Sequence, residues 1–350
     1  MFVADGAALQ AAAADGILIS DDETGPEIGY GSRFCRCAPS VPCVAHRPPN
    51  RPRPSTMRKP TRLATGWIIA ICSAGLCVAL FQTWIFTNLG SDYVVAHSGT
   101  NRSSSETPAN VGLSYEEVHY DGRLPAWYVE GQPGQPVIVM VPGYGGGRAG
   151  LLKRVVPLHA RGYGMLVIAQ GYQLGWQTFG GGQREAAQVA AAARWVTGHT
   201  GDQVVLYGVS AGGLSVLLAG AEGLRPLAII SDSGFTSMRN EAAHNTRLPA
   251  ALLGPFETFY PWFSGGAHIL DVGTELQRHP GYDVPTLIIQ GTGDQLIYWG
   301  NGPTLARMTH GTLWLLNGVG HGGAFLAEPT VYVARVSGCI VAAEARETQR

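Results

Sequence analysis

Beyond residue 113 the chain alternates two textures. Short aliphatic runs, PVIVMVPG at 136–143, GMLVIAQG at 164–171, QVVLYG at 203–208, PLAIISD at 226–232, PTLIIQG at 285–291 and GTLWLLN at 311–317, are each bounded by Gly, Pro, Asn or Asp. Near-continuous hydrophobicity of this length is what parallel strands covered on both faces require. Between them, longer stretches at 150–161, 183–197, 211–222, 301–310 and 329–346 carry helical patterns. YEEVHY at 115–120 and PAWYVEG at 125–131 predict a hairpin ahead of the first of these strands. Strand and helix in alternation predict an α/β fold: a mostly parallel, doubly wound sheet with helices on both faces. One interval breaks the rhythm. Residues 235–283 hold no strand pattern but a dense set of aromatics, Phe256, Phe259, Tyr260, Trp262 and Phe263, which suits a lid-like insertion or ordinary packing helices.

A different pattern occupies the N-terminal third. Residues 63–91 contain no charge, and residues 67–86 read WIIAICSAGLCVALFQTWIF, interrupted only by Ser73, Gln82 and Thr83. At about 1.5 Å per residue such a run crosses a hydrocarbon core of about 30 Å, with Trp67 and Trp84 near the two interfaces. The expectation is a transmembrane helix or uncleaved signal anchor at 66–87. Eight basic residues and no acid at 28–65, against Asp92 on the far side, place the N-terminus in the cytoplasm and the remainder across the membrane. A 1–65 disordered cytoplasmic tail and an 88–113 Ser/Thr/Asn-rich linker flank this span, and a domain at 114–350 follows. Met57, followed by Arg58, Lys59 and Arg62, is an alternative translation start.

Composition narrows the function classes. The chain of 350 residues is 45% hydrophobic and 14% charged with net charge −1, which excludes a disordered polyelectrolyte and argues against nucleic acid as a partner. Of six cysteines, Cys339 alone follows the apolar run, so the C-terminal domain folds without an internal disulfide. Cys35, Cys37, Cys43 and His46 depart from paired zinc knuckles and lie among prolines, and no metal is expected.

The candidate chemistry sits where strands end. QVVLYG runs into Gly208-Val209-Ser210-Ala211-Gly212 and then into an apolar helix, a G-x-S-x-G pattern at a strand–turn–helix junction. Flanking glycines permit the sharp elbow that lifts the Ser210 hydroxyl above the sheet edge. A serine hydroxyl needs a base to take its proton and a carboxylate to orient that base. Asp294, in GTGDQLI, and His321, in GVGHGG, follow later strands and reach the same edge, while Asp232 at the end of PLAIISD is the alternative acid. The backbone N–H of Ala211 is one candidate oxyanion donor. Gly145 to Gly150 also satisfies G-x-G-x-x-G after a strand, but GMLVIAQGYQ supplies no acid for a ribose, so no dinucleotide is expected.

The Gly208–Gly212 elbow, the PGYGGG turn at 142–147 and the acid and histidine downstream resemble the α/β-hydrolase family over about residues 114–345. That resemblance implies a second oxyanion donor from the Tyr144 backbone. It also implies the finer placement, a membrane-anchored serine esterase or lipase, with Ser210 as nucleophile, His321 as base and Asp294 as acid. The expected partner is a small acyl substrate, an ester or else a thioester or amide, for which the bilayer location suggests a lipid origin, and no cofactor is needed. An acyltransferase or a serine peptidase uses the same machinery. A non-catalytic hydrolase-like binding domain is the alternative from another class.

Overall fold

The computed structural model describes residues 66–67, 69–73 and 75–77, and then 105–349 apart from 176, 248 and 250–252. The N-terminal pieces are helical and expose Trp67, Ile69, Ile71 and Leu76. Among the described residues no helix is long and apolar enough to cross a membrane. The expected tail, the span beyond residue 77, the linker up to 104 and the Cys35–Cys37–Cys43–His46 group lie outside the described residues. Regular structure is present ahead of residue 114. A 3₁₀ turn at Pro108–Val111 buries Pro108 and closes on a left-handed Gly112, because Asn110 accepts hydrogen bonds from the Thr107 backbone and hydroxyl.

Eight strands form one sheet: β1 (Glu116–Tyr120), β2 (Leu124–Val129), β3 (Val137–Val141), β4 (Gly164–Ile168), β5 (Val204–Val209), β6 (Ala228–Asp232), β7 (Thr286–Gly291) and β8 (Thr312–Leu316). Their spatial order is β1-β2-β4-β3-β5-β6-β7-β8, antiparallel from β1 through β2 to β4 and parallel thereafter. Winding proceeds from β3 to β4 on one side, then returns past β3 to β5 on the other. That reversal falls at the carboxyl ends of β3 and β5, the place where sheets of this topology hold ligands.

Alternate residues of each strand feed two cores. Val139, Leu206, Ile229 and Ile288 face α2 (Gln183–His199), α3 (Ala211–Ala221), α6 (Val272–Arg278) and α7 (Asn301–Thr309). Met140, Tyr207, Ile230 and Ile289 face α1 (Leu152–His159), α8 (Ala324–Ala327) and α9 (Pro329–Thr348). Every residue of α3 is buried, as befits a helix apolar on all sides. The edge strand β8 is the exception to the buried-strand pattern: Thr312 and Leu315 are exposed on a strand paired on one side alone.

Within 235–283 the chain forms α4 (Met238–Thr246), α5 (Gly254–Phe263) and α6. Val272 of α6 is fully buried in the main core, so the end of this interval belongs to the helical layer. Ala242, Leu253 and Tyr260 make a separate small core under α4 and α5, whose outer surface leaves Trp262 76% exposed.

Candidate active site

Ser210 occupies the tight junction between β5 and α3 with φ 57° and ψ −120°, a conformation that costs an L-residue about 1–3 kcal/mol. Backbone packing enforces it. A Cβ on Gly208 would lie 2.1 Å from the Gly212 carbonyl oxygen, and one on Gly212 would lie 2.3 Å from that of Val141. Neither neighbour is a side chain able to rotate away, so both elbow glycines are dictated by close approach of main chain. The Ser210 N–H donates to the Asp232 carbonyl at 2.8 Å, which ties the elbow to β6. Ala211 opens α3, and its N–H sits at the positive end of the helix beside the serine.

His321 and Asp294 meet because β7 and β8 are neighbours and their following loops pack main chain on main chain. The Gly293 N–H donates to the Val319 carbonyl at 3.0 Å, and the Gly318 N–H to the Thr292 hydroxyl at 2.8 Å. Cβ atoms on Gly291 and Gly293 would fall 2.1 Å from Val319 O and 2.6 Å from Gly318 O. Glycine in GTGD is thus demanded by contact with the histidine loop. His321 Nδ1 lies 2.7 Å from Asp294 Oδ2. The carboxylate is buried and fully engaged: Oδ1 accepts from the Leu296 and Ile297 N–H groups at 2.9 Å each, and Oδ2 also accepts from Gln290 Nε2 at 3.1 Å. With Nδ1–H directed at the carboxylate, Nε2 is the nitrogen left to accept a proton. The residue after His321 lies against the residue before Ser210, since a Cβ on Gly322 would be 3.5 Å from Val209 Cγ1. No hydrogen bond joins Ser210 to His321 in this structure; such contacts often tighten only when substrate is bound.

Asp232 does not reach the histidine. Its carboxylate is fully buried, accepting from Arg154 Nη2 at 3.3 Å, the Tyr332 hydroxyl at 2.8 Å and the Ser233 hydroxyl at 3.1 Å. The alternative acid is therefore occupied by a network facing α1 and α9. Burial pushes the Tyr332 phenol well above its ordinary range, so it stays a donor to that carboxylate.

Tyr144 follows Gly143, which runs alongside the elbow: a Cβ on Gly143 would lie 3.0 Å from Ser210 Cβ and 3.6 Å from Ser210 Oγ. The Tyr144 ring stacks on Tyr172 at 5.2 Å and meets Phe179 edge-on at 5.6 Å, forming an aromatic group that begins one residue beyond Gly143. Sequence reasoning missed three polar groups. Glu241 on α4 accepts from the Tyr298 N–H at 3.1 Å and from Asn301 Nδ2, binding the insertion to the segment that follows Asp294. Arg154 and Gln173 reach the His321 and Tyr144 loops respectively, and no motif marks either. Among the described residues no group of His, Cys, Asp and Glu is arranged to hold a metal. A cleft lined by Arg194, Asp202, Arg225 and Arg346 lies at the amino ends of the strands, away from Ser210.

No protein-family profile and no curated protein matches the chain. Solved structures do. An esterase of Pyrococcus furiosus superposes with a TM-score of 0.53 at 16% identity, covering 68% of this chain and 94% of its own. A 2,6-dihydroxy-pseudo-oxynicotine hydrolase superposes with a TM-score of 0.51 at 17% identity, covering 65% of this chain and 67% of its own. At these identities the likeness speaks for architecture alone. The eight-stranded mixed sheet and its helical layers are those of the α/β-hydrolase fold.

Proposed function

We propose that the chain is a serine hydrolase that cleaves a carboxylic ester through an acyl-enzyme. The observation that carries this reading is the 2.7 Å contact between His321 and the buried Asp294, in a loop packed against the elbow that holds Ser210. In the first step Ser210 Oγ attacks the acyl carbon while His321 Nε2 takes its proton, and Asp294 stabilises the imidazolium that forms. The carbonyl oxygen becomes an oxyanion held by the Ala211 and Tyr144 N–H groups. Collapse of this intermediate breaks the acyl–oxygen bond, and His321 returns the proton to the leaving alcohol. Water, deprotonated by the same histidine, then releases the acid and restores Ser210.

The aromatic group of Tyr144, Tyr172 and Phe179, which starts on the loop whose Gly143 borders the serine, supports an apolar acyl moiety. Names of the structural neighbours, an esterase and a hydrolase, agree with hydrolysis over acyl transfer. The charge-free run at 63–91 and the basic flank before it support tethering to a membrane, with the catalytic domain on the extracytoplasmic side. Protease accessibility in intact cells tests that topology, and a shielded C-terminal domain refutes it.

A fluorophosphonate probe tests the chemistry. Stoichiometric labelling of the wild type that disappears in Ser210→Ala is expected, together with turnover of short aryl esters. Absence of labelling, or equal labelling of both proteins, rules the enzyme out and leaves a binding domain.

A further inference from the structure

The side chain of Gln173 holds the loop that carries Tyr144 from outside. Gln173 Nε2 donates to the carbonyl of Gly143 at 3.0 Å and to that of Gly146 at 3.0 Å. Its Oε1 accepts the Gln170 N–H at 2.8 Å. All three partners agree on which end of the amide is which, so the orientation of the side chain is fixed by its network. Gln170 is itself fully buried at the end of β4 and donates through Nε2 to the Glu185 carbonyl at 3.1 Å. The clamp is therefore anchored in the sheet and in α2.

One of these bonds has a directional consequence. The Gly143 carbonyl and the Tyr144 N–H belong to the same peptide plane, and in a trans peptide they point in opposite directions. A donor that captures the carbonyl oxygen on one side sets where the N–H points on the other. Gly143 lies close enough to the nucleophile that a Cβ there would come within 3.6 Å of Ser210 Oγ, so this plane borders the reacting centre. Glycine-rich sequence on both sides, Pro142-Gly143 before and Gly145-Gly146-Gly147 after, gives the loop little stiffness of its own. The bond to Gly146 restrains the other end of the same turn, alongside the Gly146 N–H bond to Gly143 O at 3.1 Å.

We propose that Gln173 is a positioning residue for acyl transfer: by holding the Gly143 carbonyl it aims the Tyr144 N–H at the oxyanion and pre-organises the transition-state site. This inference rests on the serine-hydrolase reading above. Pre-aimed donors act where charge develops, so the clamp strengthens binding of the oxyanion and leaves ground-state ester binding nearly untouched. Loss of a whole oxyanion donor lowers kcat by about 10²–10³. A donor left in place but released from its clamp is expected to lose roughly tenfold to a hundredfold.

The test uses the described domain within the full chain and two variants. Gln173→Met keeps the length and removes all three hydrogen bonds. Gln173→Glu keeps the shape but places acceptors against the two carbonyls. Both are expected to lower kcat on an aryl ester at least tenfold with KM within about threefold, and to weaken binding of an alkyl trifluoromethyl ketone, an oxyanion mimic, by a similar factor. Fluorophosphonate labelling of wild type and of both variants to full stoichiometry shows that the nucleophile is present. Should the wild type fail to label, the serine-hydrolase reading falls and this inference with it. Should the wild type label while either folded variant retains kcat and mimic affinity within twofold, the positioning role alone is overturned. A parallel rise in KM with unchanged mimic selectivity, or failure of both variants to fold, assigns Gln173 to structure and also overturns it.

Discussion

Arg154 Nη2 donates to the carbonyl of Gly322, the residue after His321, at 2.7 Å, and the same nitrogen reaches Asp232. A buried cation on α1 thus touches both the end of β6 and the loop that carries the candidate base. The Gly322 N–H donates to the Ser233 hydroxyl at 3.0 Å, so both backbone polar groups of the residue after His321 are held.

Removing the cation strands a carboxylate. The side chains of Arg154 and Asp232 are 10% and 0% exposed, and breaking a buried pair from one side costs about 3–5 kcal/mol. Arg154→Met is therefore expected to lower the unfolding free energy by about that amount in urea melts. Combining it with Asp232→Asn removes the orphaned charge and should recover part of the loss. If the single and double variants are equally unstable, the charge pair is not the source of the effect.

The two aspartates at the sheet edge separate in kinetics. Asp294→Asn keeps the shape but supplies an amide where the imidazole needs an acceptor, and in a Ser–His–acid site this lowers kcat by about 10⁴. Asp232→Asn acts on the Arg154–Tyr332 network and is expected to reduce stability while keeping kcat within about tenfold. Steady-state ester kinetics on both variants decides the assignment. The reverse ranking would move the acid to Asp232.

Much of this architecture was legible in the chain because burial on two faces writes itself as unbroken aliphatic runs. Each run from VIVMV to TLIIQG is a central strand, and Ser210, Asp294 and His321 stand, as their sequence context predicts, after β5, β7 and β8. Position after a strand is a local property, and local properties survive in sequence. The partners of Asp232 are not local, since Arg154 and Tyr332 reach that carboxylate from α1 and α9 across the sheet. Gln173 was invisible for the same reason, its partners Gly143 and Gly146 being backbone carbonyls with no side-chain signature. The solvent-facing half of β8 followed from its edge position, which a run of hydrophobic letters does not record.

Glycines in the elbow differ sharply from those in the loop before α1. Gly212→Ala would drive a methyl group to 2.3 Å from Val141 O and 2.8 Å from Pro142 O, and main chain can yield only by moving β3. Overpacking of this kind costs about 1–3 kcal/mol or more, so this variant is expected to lose both stability and probe labelling. Gly147→Ala meets nothing within 4 Å and should match the wild type in both. Thermal melts and labelling run side by side give the comparison, and a stable, active Gly212→Ala would contradict the packed elbow described above.

Glu241 links stability to pH through its burial on the inner face of α4. Desolvation raises its pKa above the ordinary 4.5, and the hydrogen bonds from Tyr298 and Asn301 only partly oppose this. A carboxyl with a raised pKa in the folded state is most favourable when protonated in both states. As pH climbs past the unfolded value the unfolded chain releases its proton first, and stability falls until the folded-state pKa has been passed. Glu241→Gln removes that titration while keeping the side-chain length. The unfolding free energy of wild type minus that of Glu241→Gln is therefore expected to decline from pH 4.5 upward and to level off once the folded carboxyl has ionised. Urea denaturation at successive pH values from about 4 to 8 measures this difference. A difference that grows with pH would mean that the bonds from Tyr298 and Asn301 outweigh burial, making Glu241 a stabilised carboxylate at neutral pH.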